Sequence, residues 1–509
     1  MIFATFLAAL AACITATAAL EVNIDDPSSI RATSRTLAFG LQSYYQNNLS
    51  STAPTAIGTL PAPLYWWQAG AMWGGMIDYW AYTNDTSYNE VTTQALLAQV
   101  GPDWNYMPPA YFSSLGNDDQ AFWALAVLSA EEYGFPFPSG QRVSSWLDLA
   151  AAVWDTQVAR WNTEQCGGGL KWQIFDYNKG WNYRNSISNG AFLQISARLA
   201  HFTGNQTYVE WAGKTWDWMD RIGLISSNYQ VFDGSDDTLN CSELDHTQWT
   251  YNPAMLLYGT AMMANLTNEQ VWKDRADGLL TSIENTFFLP GGDGDNRIDD
   301  STDVMYEAAC EPFGTCNNDQ FSFKAYLSRW LAKSAVVYPG VTDSIAKRLR
   351  ASALAAAQSC SGGADGQTCG QKWYTGGFDG SSGVGQSMSA LETLQSLLLL
   401  HSTWSPRRVP LVGPNVTIEV VPVTSTFPLN PPTATSNSGV TGGDGNGPKR
   451  STGARTNFLG STRRMTSTSL TTTGRTSLTT RSLGNGAALK TWAGLAAPVV
   501  VAVAMGVVL

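Results

Sequence analysis

Three stretches of the chain repeat one pattern: a helix-like run, an Asn/Thr turn, then a second helix-like run. They are AYTNDTSYNEVTTQALL from Ala81, HFTGNQTYVEWAGKTWDWM from His201 and MMANLTNEQVWKDRADGLL from Met262. Weaker equivalents occur at Pro138-Ser139-Gly140 and at Tyr338-Pro339-Gly340, so turns recur about every 55–70 residues. Self-similarity at a fixed period indicates stacked supersecondary units. Asn and Thr side chains accept from the exposed N–H groups of a helix start, which predicts that these turns cap the second helix. Apolar residues at three-to-four spacing predict helices over Gln120–Tyr133, Ala191–Phe202 and Ala390–His401. Dividing residues 22–405 by the period gives about six helical hairpins. Long Gly/Asn/Asp-rich loops at 164–190, 231–250, 290–320 and 361–388 alternate with the short turns. Six hairpins can stack into an open solenoid or close into an (α/α)6 barrel. Closure would gather the long loops at one end, over the central hollow, where a site can be built on a rigid scaffold.

Charge divides the chain into two kinds of polymer. The 509 residues carry a net charge of −11, which argues against a nucleic-acid partner. Residues 409–509 hold eight Lys/Arg against Glu419 and Asp444, a net of +6, so residues 1–408 carry −17. Only three histidines are present, leaving little room for His-based metal or triad chemistry. Residues 1–19, MIFATFLAALAACITATAA, are too short a stretch to span a membrane, and Ala16-Thr17-Ala18 fits a cleavage site. They read as a signal peptide, although no Lys or Arg precedes the apolar stretch. At the far end, AGLAAPVVVAVAMGVVL closes the chain, with small residues Gly484-Asn485-Gly486-Ala487-Ala488 upstream. That layout reads as a GPI-attachment signal with Asn485 as the attachment residue and 486–509 as its propeptide; a plain tail anchor is the alternative. Residues 409–485, rich in Ser, Thr, Pro and Gly, cannot bury enough apolar surface to offset chain entropy, and read as a disordered, O-glycosylated stalk. The ordered, all-α module is then 20–408.

Six cysteines remain after the signal peptide: Cys166, Cys241, Cys310, Cys316, Cys360 and Cys369. An even number in a secreted chain predicts three disulfides. Proximity favours Cys310–Cys316 and Cys360–Cys369, which leaves Cys166–Cys241. No spacing is CxxC, so a zinc site is not expected. Sequons occur at Asn48, Asn84, Asn205, Asn265 and Asn415, with a weaker one at Asn240.

The sharpest chemical signal is Gly116-Asn117-Asp118-Asp119-Gln120, followed by the helical run AFWALAVLSAEEYG. With Asn117 as the cap, Asp118 and Asp119 fall in the first turn, where free N–H groups and the helix dipole favour anions. Acidic residues at a helix start are ordinary, and that structural reading stands beside a catalytic one. Asp25-Asp26, Asp236-Asp237 and Asp299-Asp300 lie in polar surroundings, whereas Tyr106, Tyr111, Phe112, Phe122 and Trp123 flank this pair. A semi-buried pair of like charges cannot both ionise freely, so one pKa rises. A carboxylic acid beside a carboxylate is the equipment of glycoside hydrolysis. Retaining enzymes hold the two groups about 5–5.5 Å apart, a spacing open to adjacent residues in one helical turn.

Sugar binding needs flat apolar faces and multidentate polar side chains. Tyr65-Trp66-Trp67-Gln68, the Gly-rich loop Gly167-Gly168-Gly169-Leu170-Lys171-Trp172-Gln173, Asn182-Tyr183-Arg184-Asn185, Ser188-Asn189-Gly190 and Thr250-Tyr251-Asn252 supply both. Trp172 lies on a predicted loop and is the better substrate candidate. Trp216, Trp218 and Trp330 lie within helical runs and are expected in the core. Asp293-Gly294-Asp295-Asn296-Arg297 departs from a calcium loop at the Arg297 position. With no Walker loop and no dinucleotide fingerprint, neither a metal nor a cofactor is expected.

These residues resemble glycoside hydrolase family 76, specifically its fungal GPI-anchored cell-wall members, the mannan endo-1,6-α-mannosidases. The resemblance covers residues 22–405 and rests on YWWQAGAMWGGMIDYW, GNDDQAFWALA, CGGGLKWQ, YRNSISNGAFLQISARLA, WTYNPAMLLYGTA and NDQFSFKAYLSRW. It implies an (α/α)6 barrel and retaining, endo-acting hydrolysis of α-1,6-mannosidic bonds in wall mannan or GPI glycans. It implies Asp118 as nucleophile and Asp119 as acid/base. Across these motifs, Trp66, Trp67, Asn117, Trp172, Asn189, Tyr251, Asn252 and Lys324 are the expected substrate contacts. It also admits mannosyl transfer, with wall β-glucan as acceptor. A non-catalytic mannan-binding wall protein and an inverting hydrolase are the competing expectations.

Overall fold

The computed structural model describes residues 19–288 and 303–411. Residues 1–18 of the proposed signal peptide, residues 412–485 of the stalk with Asn415 and Asn485, the C-terminal apolar segment and residues 293–297 and 299–300 lie outside them. Among the described residues no helix is long and apolar enough to cross a membrane.

Twelve α-helices make up the described fold. Six of them bury nearly every face: α2 (Trp66–Thr83), α4 (Asn117–Tyr133), α6 (Ser186–Thr203), α8 (Tyr251–Thr267), α10 (Phe323–Val337) and α12 (Val384–Leu400). A helix apolar all round belongs inside. The other six, α1 (Pro27–Gln42), α3 (Asn89–Ala98), α5 (Trp146–Arg160), α7 (Gln206–Arg221), α9 (Gln270–Phe287) and α11 (Thr342–Ser359), alternate with them in the sequence. These bury a stripe only; α7, for instance, buries Ala212, Thr215, Trp216, Trp218 and Met219. Each inner helix packs on the next, and α12 returns to α2. The ring is closed, which excludes the open solenoid. Five hairpins are sequential, whereas the sixth pairs α12 with α1 from the opposite end of the module. The fold is an (α/α)6 barrel. Trp216, Trp218 and Trp330 are buried in its core.

The repeat has a physical origin in a threonine. Thr83, Thr203 and Thr267 each donate Oγ1 to the carbonyl four residues back and accept the N–H two residues on. Each hydroxyl thereby closes one helix and starts the turn. The asparagines divide the remaining work. Asn205 is an N-cap, accepting from Thr207 N. Asn84 and Asn268 instead end α2 and α8 in the left-handed conformation, a C-terminal role that Asn tolerates. The expectation that all three cap the following helix is corrected accordingly. The sequon asparagine Asn265 is also engaged: it donates to Val337 O and contacts His201 Nε2.

Helices predicted from Gln120 and Ala191 begin earlier, at Asn117 and Ser186. Polar first turns hide those starts from an apolar period. Cys166–Cys241, Cys310–Cys316 and Cys360–Cys369 are the three disulfides, the pairing that proximity favours. The long loops carry a small sheet, β1 (Tyr183–Asn185), β2 (Gly234–Asp236) and β3 (Leu244–Asp245), antiparallel in that order.

Candidate active site

Helix α4 starts at a backbone junction. Residues 115–117 pair antiparallel with 172–174: Asn117 N donates to Trp172 O at 2.7 Å, and Ile174 N donates to Leu115 O at 3.1 Å. Trp172 N donates to Tyr183 O, which joins this ribbon to β1. Gly116, not Asn117, is the N-cap of α4. A Cβ on Gly116 would lie 2.2 Å from Asp118 Oδ1, so any larger residue here would push that carboxyl from its place. Asp119 Oδ2 accepts from Gly116 N at 2.8 Å, and Asp118 Oδ1 accepts from Asp119 N at 3.0 Å. The first turn thus holds both carboxyls by its own free N–H groups.

Both open into a cavity of about 210 Å³. Trp67, the Asp pair, Asn185, Tyr251 and Phe323 line it, each at the N-terminal end of an inner helix: α2, α4, α6, α8 and α10. The loops add Trp172, Tyr183, Asp233, Trp249, Asp319 and Gln320. Four carboxyl groups therefore share one space, and its described lining contains no Lys, Arg or His. Five helix N-termini supply a fixed positive field there. Burial pushes the Asp118 carboxyl well above the usual range, and the Asp119 charge pushes further; a hydrogen bond from Asn185 opposes both. Burial raises Asp119 to about 7 against the Gly116 N–H, with Asp319 adding to the rise. Asp233, bonded by Tyr183 Oη at 2.8 Å, rises to about 6 through burial. Asp319, bonded by the Trp67 side chain, also rises to about 6 through burial. Burial and mutual repulsion thus favour a protonated form of the pair, while the Gly116 N–H stabilises Asp119 as an anion.

The expected contacts separate into two groups. Trp67, Trp172 and Tyr251 line the cavity with the Asp pair. Tyr251 stacks on Phe323 with ring centroids 3.8 Å apart. A Cβ on Gly180, at φ +94°, would strike the Trp172 ring at 2.4 Å, so this glycine seats the loop tryptophan. Asn252 is buried just behind the wall, 3.5 Å from Asp233 Oδ1.

The others lie elsewhere. Trp66 points outward from α2, stacked between Tyr111 and Trp123 with Nε1 on Gln99. Asn117 faces the opposite side of the ribbon, bonded to Lys171 O and Arg160 Nε. Asn189 pins the Gly-rich loop through Leu170 N and O. Lys324 is fully buried, its Nζ 2.8 Å from Glu311 Oε1 and 3.9 Å from the ring centroid of Trp373. Each is a near neighbour in sequence of a lining residue, with its side chain pointing another way.

Asp233, Asp319 and Trp249 join the site without a place among the sequence-based expectations. For Asp319 a signal exists: Asn318-Asp319-Gln320 echoes Asn117-Asp118-Asp119-Gln120, each near the start of an inner helix. Asp233 sits in an ordinary Phe-Asp-Gly run leading into β2, and tertiary packing brings it in.

The model of a family described as glycosyl hydrolase family 76 matches residues 29–407. Mannan endo-1,6-alpha-mannosidase DCW1 of Candida albicans is 44% identical over 385 residues, 75% of this chain and 82% of that protein. The crystal structure of Dfg5 from Chaetomium thermophilum in complex with glucosamine aligns with a TM-score of 0.69 at 40% identity, covering 78% of this chain and 95% of that one. An inactive variant of the alpha-1,6-mannanase GH76A of Salegentibacter sp. HEL1_6, in complex with alpha-1,6-mannotriose, aligns with a TM-score of 0.56 at 17% identity, covering 73% and 99%. This last is a likeness of fold.

Proposed function

The chain belongs to glycosyl hydrolase family 76, and from that premise we propose that this glycoside hydrolase cleaves internal α-1,6-mannosidic bonds of cell-wall mannan with retention. The observation that carries the reading is the adjacent Asp118–Asp119 pair, buried together in an aromatic-walled cavity without a cationic side chain in its described lining. In the proposed first step Asp118 attacks the anomeric carbon while Asp119 gives its proton to the leaving oxygen. The bond to the leaving sugar breaks as the mannosyl ester on Asp118 forms. In the second step Asp119 takes a proton from water, which attacks the same carbon and frees Asp118. Substrate settles the order of roles: positive charge developing on the mannosyl ring favours an ionised Asp118 and moves the pair's proton to Asp119. Asp233 and Asp319 offer acceptors for sugar hydroxyls, and Trp67, Trp172 and Tyr251 offer faces for the ring.

The mannosyl ester can also pass to a sugar hydroxyl, with β-glucan as the acceptor and a GPI glycan as the donor. Residues 20–408 would form the catalytic domain. Residues 1–19 would direct secretion, 409–485 would form a stalk, and 486–509 would be exchanged for a GPI anchor at Asn485. On this reading the enzyme works at the outer face of the plasma membrane and in the wall.

The test incubates purified protein with an α-1,6-mannan oligosaccharide and reads products by mass spectrometry, with Asp118→Asn and Asp119→Asn beside it. Shorter products that vanish in both variants are expected. Longer products, or label passed to an added glucan, would assign transfer. Full activity in either variant would sink the site, and binding without turnover would favour a mannan-binding wall protein. The anomeric form of the first product, followed by NMR, separates retention from inversion.

A further inference from the structure

Side chains along an extended ribbon alternate between its faces. Trp172 enters the carboxylate cavity, whereas Lys171 and Gln173 line a second cavity of about 400 Å³ with Arg160, Trp161, Asn162 and Trp181. Where the ribbon passes into α4, Asn117 lines the second cavity and Asp118 the first. The two faces carry opposite charge.

Arg160 has no carboxylate partner among the described residues. Its Nε donates to Asn117 Oδ1 at 2.8 Å, one terminal nitrogen donates to Gln120 Oε1, and the other lies 3.5 Å from Met107 Sδ. With no anion to offset burial, its guanidinium is pulled down to about 9. Lys171 Nζ lies 2.5 Å from Asp237 Oδ2, yet Arg184 Nε reaches the same oxygen at 3.3 Å. One buried carboxylate thus serves two cations. One donor of the lining is also left over: Trp161 Nε1 is buried without a partner among the described residues. Arg160 is half-buried, and a ligand anion would offset the cost of its missing counter-charge. The rim contributes one acid, Glu164, which is exposed.

We propose that this second cavity binds a phosphate group, Arg160 and Lys171 giving charge-assisted donors and Trp161 and Trp181 flanking whatever sugar carries it. Lys171 Nζ already lies 4.6 Å from the Trp181 ring centroid, so charge and aromatic face are adjacent.

The full-length protein is titrated with inorganic phosphate and, separately, with mannose 6-phosphate, at constant ionic strength set by chloride. Binding is read by calorimetry and by the shift in Tm. Saturable binding of both is expected. Tighter binding of mannose 6-phosphate, by about tenfold, assigns a sugar-borne phosphate; equal binding assigns a free one, and either supports the site. Absence of saturable binding overturns it. Arg160→Gln should weaken binding about tenfold. Because Arg160 also holds α4, the exposed Glu164→Lys gives an independent arm, expected to tighten binding several-fold with the fold intact. Binding unchanged in both variants lies elsewhere and overturns the assignment.

Discussion

Inside the barrel, Asp78 on α2, Glu132 on α4 and Glu392 on α12 are buried among Arg198, Arg329 and Lys333. Asp78 Oδ1 is 3.0 Å from Lys333 Nζ, Glu132 Oε1 is 2.6 Å from Arg198 Nε, and Glu392 Oε2 accepts from Arg329 Nε at 3.3 Å. At the loop end, Asp118, Asp119, Asp233 and Asp319 share a cavity whose described lining holds no cationic side chain. The same inner helices build both places. In the first, three acids meet three cations, and the field is cancelled in place. In the second, helix N-termini and protons do the balancing, so the acids keep a proton that can move. Cancelled charge fixes the packing of inner helices, while uncancelled charge is free to do chemistry.

The largest test of this contrast is kinetic. Asp118→Asn and Asp119→Asn should each lower kcat/KM on the order of 10⁴-fold. Their Tm should hold or rise, because each removes repulsion within the pair. A loss of that size from Asp233→Asn instead would move the chemistry off the pair and break the comparison.

The next test is thermodynamic. Arg329→Met leaves Asp78 and Glu392 facing each other without their shared cation, and should cost about 3–5 kcal/mol in urea unfolding at neutral pH. Asp233→Asn at the loop end should be neutral or stabilising at that pH. Equal losses would show that the two regions do not differ.

pH then separates them by sign. The folded pKa values of Asp119, Asp233 and Asp319 lie at about 7, 6 and 6, above the ordinary 3.8. A carboxyl raised on folding contributes its full stability below its unfolded pKa and loses it as pH rises through the folded value. Stability should therefore fall between about pH 4 and pH 7, and Asp233→Asn should remove about 1–3 kcal/mol of that slope. Urea titrations at several pH values measure it. On the kinetic side, kcat/KM should decline above about pH 7 as Asp119 loses its proton, and a profile flat to about pH 9 would exclude it as the acid.

How much of this is legible in the sequence follows from the range of each interaction. The hairpins, the Asp pair and the three disulfides rest on patterns close together in the chain or on elimination, and all can be read. Ring closure depends on α12 meeting α2, a contact with no local trace. Asp233 reaches the cavity only through the β1–β2 pairing and Tyr183. Side-chain direction is the main loss. Asn117 and Asp118 are adjacent at the start of α4, yet they line different cavities, and motif membership carries no information about which.

Trp66 and Trp67 give the smallest and sharpest form of that lesson, since they are neighbours on α2 with opposite surroundings. Trp66 is locked between Tyr111 and Trp123, and its Nε1 donates to Gln99 Oε1 at 2.8 Å. Trp67 lines the cavity and hydrogen-bonds Asp319. Replacing either by Phe keeps a ring and removes one N–H. Trp66→Phe leaves Gln99 Oε1 buried without that donor, and should cost about 1 kcal/mol of stability with KM unchanged. Trp67→Phe withdraws a hydrogen bond from the charged form of Asp319, which raises that carboxyl further and alters an acceptor facing the sugar. Its expected signature is a several-fold rise in KM with little loss of stability. Should both substitutions move only stability, Trp67 belongs to the core like its neighbour, and the substrate face of α2 begins elsewhere.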